Sequence, residues 1–218
     1  MNITDFELKN GTLISYDGTD EELIIPDTIT CIKTGSIGAA YSYSDVKSIS
    51  IPKSVTLIEP EAFCWCEHLE KLTVSTENPI YCAEDNCIIE KKSKKIVAGC
   101  NKSVIPNTEH ATVIGPYAFC AMRFSEMVIP SGITTIQEGA FLHCNYLKNV
   151  IIPDTVTKIE ARAFEGCYQL QSAKLPESVT FIGTDAFDCC DDNFVIITSA
   201  NSYAEEYAKE NGIPVALI

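Results

Sequence analysis

Short apolar segments, each closed by a proline, recur along the chain at a nearly constant spacing. Ile-Pro or Leu-Pro pairs place proline at positions 26, 52, 106, 130, 153 and 176. The last three intervals between these prolines are 24, 23 and 23 residues. A fixed period in this range is typical of proteins built from stacked structural repeats.

More than the proline repeats in phase. Eleven residues after four of the prolines comes the phenylalanine of an Ala-Phe pair, and the third residue after it is a cysteine. The pairs and their cysteines are Ala62-Phe63 with Cys66, Ala140-Phe141 with Cys144, Ala163-Phe164 with Cys167, and Ala186-Phe187 with Cys190. So many matching positions in one phase indicate true repeats.

Each repeat predicts two short strands followed by a return, the tight turn that leads the chain back to the next repeat. Apolar and polar residues alternate before the proline, as at Val150 and Ile152, which is typical of a half-buried strand. Proline has no N–H to donate and ends that strand. A Val-Thr-x-Ile segment predicts a second extended piece, and Ala-Phe-x-x-Cys predicts a tight helical or 3₁₀ turn. One repeat cannot bury its own apolar side, so the repeats are expected to stack into a solenoid.

Two copies depart from the pattern. After Pro26, Ile37 takes the phenylalanine position and Tyr43 is assigned to the cysteine position. After Pro106, two extra residues precede Ala118-Phe119, and Ala121 is assigned to the cysteine position.

The repeat resembles that of the BspA-like leucine-rich repeat family, with the unit Leu-x-x-Val-x-Ile-Pro-x-x-Val-Thr-x-Ile-x-x-x-Ala-Phe-x-x-Cys. The resemblance covers about residues 20–195 and is clearest in residues 147–167. It implies a right-handed, curved array of short β-strands. The better-known members are surface adhesins that bind host matrix proteins or other bacteria, which implies a binding role by analogy.

The whole chain, residues 1–218, is expected to form one leucine-rich-repeat domain. Residues 1–20 predict an N-terminal cap hairpin around an Asn-Gly turn. Residues 21–195 hold the repeats, interrupted near 78–103 by a β-hairpin with a basic tip. Residues 196–218 predict a C-terminal cap, a helix with Ser202 as N-cap followed by a final strand.

Charge and hydropathy limit the partners. The formal net charge is −14, which disfavours nucleic acid and anionic membrane surfaces. No apolar run approaches the roughly 18 residues of a membrane span, so membrane insertion is not expected. A monomer is expected. If Met1 is the native start the protein is expected in the cytoplasm, and if a leader was removed, at the cell surface or secreted.

Cysteine and histidine are the residues that could carry chemistry. The cysteines that recur in phase are either small core residues or ligands and disulfides, and core packing is the favoured interpretation. Cys64-Trp65-Cys66-Glu67-His68 has zinc-like residue types without the usual spacing. In the hairpin, Cys87 and Cys100 are either free thiols or a disulfide. A catalytic Cys or Ser would need a histidine within hydrogen-bond reach, and no histidine lies near a nucleophile motif, so an enzyme is not predicted. Neither a cofactor nor a bound metal is predicted.

The predicted binding surface is the strand face, the outward side of the segments before the prolines. Side chains there alternate with core residues and form two columns. The candidate ligand-binding residues are Ser48, Lys71, Glu126, Asn149 and Ser172 in one column and Ser50, Thr73, Val128, Ile151 and Lys174 in the other. Val128 and Ile151 are adjacent apolar residues and either mark a contact patch or fill the sheet surface. The sequence thus predicts a non-enzymatic, adhesin-like module for a protein or glycan, or alternatively an intracellular protein-interaction scaffold.

Overall fold

The computed structural model describes residues 5–38 and 45–218. Within these ranges it contains eighteen strands and one helix. The strands are β1 (Phe6–Lys9), β2 (Thr12–Tyr16), β3 (Glu22–Ile24), β4 (Cys31–Ile32), β5 (Ser48–Ile51), β6 (Leu57–Ile58), β7 (Lys71–Val74), β8 (Tyr81–Glu84), β9 (Cys87–Glu90), β10 (Lys95–Ala98), β11 (Val113–Ile114), β12 (Thr135–Ile136), β13 (Asn149–Ile151), β14 (Lys158–Ile159), β15 (Ser172–Lys174), β16 (Phe181–Ile182), β17 (Val195–Thr198) and β18 (Val215–Leu217), and the helix is α1 (Tyr203–Glu210).

The chain winds into a β-solenoid of about nine turns, which confirms the predicted repeat solenoid. The segments before the prolines form two parallel sheets, β3-β5-β7 and β13-β15-β17-β18. The Val-Thr-x-Ile segments form the second strand of each coil, in the sheets β1-β2-β4-β6 and β16-β14-β12-β11-β10-β9-β8. Equivalent residues of successive coils pair, as Asn149 does with Ser172. Each coil therefore buries its apolar side against its neighbours.

The Ala-Phe-x-x-Cys return keeps the i→i−3 hydrogen bonds of the predicted helical or 3₁₀ turn only at alternate residues. Alternate N–H groups bond within the coil, as Cys144 N–H does to the Phe141 carbonyl, and the others bond to the next coil, as Phe141 N–H does to the Ala163 carbonyl at 2.8 Å. Residues with positive φ recur every fourth position, for example His143 at 57° and Gly139 at 57°. Left-handed residues interrupt a helix, so the return is a series of turns that adds a third hydrogen-bonded ladder between coils.

Four phenylalanines stack along the axis of the C-terminal coils. The rings of Phe119, Phe141, Phe164 and Phe187 are spaced 5.3, 5.0 and 5.3 Å apart, with planes within 6° of parallel. Phe63 holds the same phase in the sequence, and the expectation that it would stack with these rings is wrong. Its ring is buried, but it packs in a separate N-terminal cluster, because the inserted hairpin lies between its coil and that of Phe119.

Both predicted caps are present. Strands β1 and β2 pair antiparallel around Asn10 and Gly11, whose φ values of 52° and 76° are those a type I′ turn requires. At the other end, the Ser202 hydroxyl accepts a hydrogen bond from the Glu205 N–H and caps α1. Strand β18 then pairs with β17 and covers the last coil.

The inserted hairpin is confirmed and is larger than predicted, because β8 joins β9 and β10 in an antiparallel meander. Strand β9 is buried on both sides: Ile88 packs in the N-terminal core cluster and Ile89 in the C-terminal one. The buried Asn78 fixes the entry to the meander, since its amide donates to the Pro52 and Val55 carbonyls. That the whole chain forms one domain stays a prediction.

In the irregular coil after Pro106, the cysteine position is taken by Met122, and the assignment of Ala121 to it is wrong. The Met122 N–H bonds to the Phe119 carbonyl, as the Cys144 N–H does to the Phe141 carbonyl. Met122 is also the third residue after Phe119, as Cys144 is after Phe141. The assignment of Tyr43 lies outside the described residues.

The recurring cysteines combine core packing with a hydrogen bond from the thiol. The thiol of Cys144 donates to the Phe119 carbonyl of the preceding coil at 3.1 Å, and Cys167 donates to Phe141 at 3.3 Å. Cys66 makes the same contact with Ile37. A cysteine therefore fills the core like an alanine and also supplies a weak donor to a buried carbonyl. Cys190 is free but only partly buried, so the core position expected for the recurring cysteines is incomplete in this last coil.

We expect the native protein, without reductant, to react rapidly with a thiol reagent at the exposed Cys189 and slowly at the buried Cys66, Cys144 and Cys167. Burial raises the pKa of the Cys66 thiol to about 12, so its reactive thiolate is scarce at neutral pH. Labelling followed by peptide mass spectrometry measures each site, and nine thiols should react after denaturation. Fast native labelling of Cys144 would show that the packing role is wrong.

Candidate functional site

The ten predicted binding residues lie on the outward side of their strands or segments. Register in the N-terminal sheet places Ser48 beside Lys71 and Ser50 beside Thr73. In the C-terminal sheet, the first column is Glu126, Asn149 and Ser172. The second column places Ile151 beside Lys174. Val128 precedes Pro130 by the same two residues that separate Ile151 from Pro153, and it is exposed.

The strand face is divided into two sheets, so each predicted column is split between them. Between β7 and the bridge at Glu126, residues 102–104 hold the place of a strand without forming one. The Val104 N–H bonds to the Asp85 carbonyl of the inserted meander, which takes the segment out of the regular ladder.

An apolar row crosses this division. Val104, Val128 and Ile151 each stand two residues before a proline and are 64, 79 and 66% exposed. Sequence reasoning singled out Val128 and Ile151 but missed Val104, although its distance from Pro106 was a sufficient signal. We call these three residues the apolar row. Val128 and Ile151 are neighbours in adjacent coils, because the bridge between Glu126 and Asn149 sets their register, and Val104 holds the same phase one coil earlier. Neighbouring exposed apolar side chains suggest a contact patch, whereas isolated ones are ordinary on a protein surface.

The N-terminal part of the strand face is a polar groove. It is lined by Glu22, Ile24, Ser48, Ser50, Lys71 and Thr73. The Thr73 hydroxyl donates to the Ser50 hydroxyl at 2.9 Å, so the groove floor is ordered by side-chain hydrogen bonds. Farther along the face, the Ser172 hydroxyl donates to the Asn149 amide oxygen at 2.7 Å. The face thus offers hydroxyls, a carboxylate and an ammonium group beside the apolar row.

One cysteine of the motif at residues 64–68 forms a cross-link. Cys64 is bonded to Cys120 in a disulfide that joins the coil before the meander to the coil after it. Sequence reasoning missed this pair because both residues lie outside the recurring cysteine phase. Cys66 is a buried core thiol, and the described residues contain no cluster of three or more potential metal ligands. Cys87 and Cys100 are free thiols.

The remaining candidates make local contacts. His110 lies 3.3 Å from a carboxylate oxygen of Glu84 at the surface. At the basic tip of the meander, the Lys91 ammonium donates to the Asn78 carbonyl at 2.6 Å. Within the described ranges, no helix is long and apolar enough to cross a bilayer.

Stacked coils with an outward strand face define a leucine-rich-repeat solenoid. Six copies of the BspA type leucine rich repeat region match residues 35–89 and 90–212. The chain therefore belongs to the BspA type leucine-rich repeat family, whose repeats are generally non-enzymatic. No curated protein matches the sequence significantly.

Solved structures of bacterial repeat proteins share the fold. The chain is 24% identical to a leucine-rich repeat protein from Eubacterium ventriosum ATCC 27560, with a TM-score of 0.69 over 82% of this chain and 48% of that one. It is 25% identical to a leucine rich cell surface protein from Faecalibacterium prausnitzii A2-165, with a TM-score of 0.53 over 86% of this chain and 62% of that one. The pneumococcal vaccine antigen PcpA is 16% identical, with a TM-score of 0.53 over 90% of this chain and 67% of that one. The chain thus spans less than two thirds of the length of the first two.

Proposed function

We propose that the protein is a non-enzymatic, adhesin-like binding module that recognises a protein or glycan through its strand face. The observation that carries the proposal is the exposed apolar row of Val104, Val128 and Ile151 beside hydrogen-bonding groups. Protein interfaces combine an apolar centre with a polar rim, and this face has both. The family resemblance and the regular sheet support the same role, because stacked repeats present extended binding surfaces.

Two observations support a location outside the cell. The Cys64–Cys120 disulfide is of a kind that persists in oxidising compartments. The Faecalibacterium prausnitzii relative, 25% identical, is described as a cell surface protein. The exposed free thiol of Cys189 supports the alternative, an intracellular interaction scaffold, because a reducing compartment preserves such a thiol.

We expect the double variant Val128→Asp and Ile151→Asp to lose at least tenfold in affinity for its partner while keeping its stability. Both side chains are exposed, so the charges cost little in the folded protein, whereas at the centre of an interface they would be desolvated. The measurement is solid-phase binding of the purified protein to decellularised host matrix and to immobilised cell lysate.

The matched control places the same charges on the opposite side of the coils, with Leu57→Asp and Phe181→Asp in β6 and β16, where both side chains are about half exposed. This variant should bind like the wild type. Equal binding by the strand-face variant would rule out the strand face as the binding surface. Binding to lysate proteins but not to matrix would favour the scaffold.

A further inference from the structure

A second concave site lies away from the strand face, on the turns where the coils on either side of the inserted meander meet. It is a shallow pocket that opens to solvent. We call it the aromatic pocket, and its lining includes Trp65, Glu67, Ala121, Arg123, His143 and Tyr146. These residues come from three coils and are brought together only by stacking.

The walls of the pocket follow from the repeat phase. Trp65, Ala121 and His143 each stand two residues after the phenylalanine of their coil, and all three have positive φ, of 68°, 59° and 57°. The small side chain of Ala121 leaves a gap between two rings in this row. Trp65 reaches across it to His143, with ring centroids 5.3 Å apart and planes inclined by 37°.

Two features of the neighbouring residues hold the side chains of Trp65 and His143 in place. The Cys64–Cys120 disulfide joins the residues immediately before Trp65 and Ala121, so it fixes the spacing of these two coils. The next residue in the row is Gly166, where a Cβ atom would lie 2.3 Å from His143 Nδ1. A glycine at this position therefore lets the imidazole lie flat. The rings are preorganised, which lowers the cost of binding.

The polar rim is equally ordered. The Arg123 guanidinium donates to a Glu67 carboxylate oxygen at 3.2 Å and to the Tyr146 hydroxyl at 3.0 Å, and it lies 5.1 Å from the centre of the Tyr146 ring. The Asn101 side chain ties the same coils together, since its amide donates to the Glu67 backbone carbonyl and its oxygen accepts from the Arg123 backbone N–H. The bonds to Glu67 and Tyr146 use two of the five guanidinium N–H groups, so Arg123 can also donate to a ligand.

We propose that the aromatic pocket binds the pyranose ring of a neutral carbohydrate. A pyranose has an apolar C–H face, which suits the Trp65 indole, and a hydroxyl edge that can donate to Glu67 and accept from Arg123. Pockets that bind small molecules combine aromatic walls with a few fixed polar groups in this way. The site is separate from the strand face and does not depend on it.

Other ligand classes fit less well. A purely apolar ligand would desolvate the Arg123–Glu67 pair without replacing its contacts with water. A strongly anionic ligand would meet a protein of net charge −14, in which Arg123 is already paired. Burial lowers the pKa of His143 below its ordinary value, so at neutral pH its ring is uncharged and adds no further cation.

Trp65 is the single tryptophan of the protein, so its fluorescence reports on this pocket directly. The experiment titrates the full-length protein with methyl β-D-glucopyranoside, methyl β-D-galactopyranoside and N-acetyl-D-glucosamine, each to 50 mM. The acyclic polyol sorbitol is the control for non-specific polyol effects, because it has hydroxyls but no ring face. At least one pyranoside should give a saturable change in Trp65 emission that sorbitol does not give.

Two variants locate the effect. Tyr146→Ala and Arg123→Ala remove one side of the rim and should raise the dissociation constant at least tenfold, with circular dichroism checking that both are folded. Tyr203→Ala removes a similarly exposed tyrosine on α1 and should bind like the wild type, as should the strand-face variant Val128→Asp/Ile151→Asp. No response to any pyranoside, or equal affinity of the wild type and a folded Tyr146→Ala, would overturn the proposal. Either result would leave the strand-face function unaffected.

Discussion

Replacing Phe164 by alanine is expected to lower the free energy of unfolding by roughly 3–5 kcal/mol, the range for large aromatic residues in protein cores. The ring is fully buried and stacks on Phe141 at 5.0 Å and on Phe187 at 5.3 Å. Its removal leaves a cavity bounded by both neighbouring coils, and neither ring can move inward without leaving its own coil. The loss of dispersion contacts therefore falls on two interfaces.

Urea unfolding followed by circular dichroism measures this effect. The matched control is Phe181→Ala, in which the lost ring is about half exposed and lies beside the ammonium group of Lys158. This variant should lose less than about 1 kcal/mol, as is usual for surface substitutions. If Phe164→Ala unfolds at the wild-type urea midpoint, the stacked rings are not a stabilising core.

Removing the Cys64–Cys120 disulfide is expected to cost about 4 kcal/mol, because it closes a loop of 56 residues that contains the whole inserted meander. The cross-link restricts the unfolded chain, and the cost of closing a loop rises with its length. We expect the double variant Cys64→Ala/Cys120→Ala to show this loss in urea without reductant.

Dithiothreitol provides the internal control. The other nine cysteines are free thiols, so the reductant changes only this bond. Reduced wild type should unfold at the urea midpoint of the double variant, and the variant itself should not respond to dithiothreitol. A wild-type midpoint that is the same with and without reductant would show that the bond does not contribute to stability.

The sequence predicted the elements that repeat because each coil must place its core residues in the same phase as its neighbours. Phe141 and Phe164 stack because residues 22 or 23 positions apart face the same side of successive coils. The caps were readable for a local reason: Asn10-Gly11 allows the positive φ values of a tight turn, and Ser202 can accept from the first turn of α1.

Irregular parts of the protein were harder to interpret. Phe63 matches the repeat in sequence, yet its ring lies outside the stack because the meander separates the two series of coils. The return after each Ala-Phe pair was predicted as a helical or 3₁₀ turn, since local spacing does not reveal that every second N–H bonds to the next coil. Val104 shows the same limit from the other side, since it holds the phase of Val128 and Ile151 in the sequence, yet its coil forms no regular strand there.

By itself, the sequence determined the solenoid, its caps and the outward columns, because a periodic core imposes a period on the residues that build it. Only the tertiary structure decided which residues from different coils meet where the period is broken. The pairing of Cys64 with Cys120 and the contact of Trp65 with His143 at the aromatic pocket depend on how the meander sets the distance between its flanking coils. That distance is fixed by the packing of β9 against both core clusters, a three-dimensional constraint with no counterpart in local spacing.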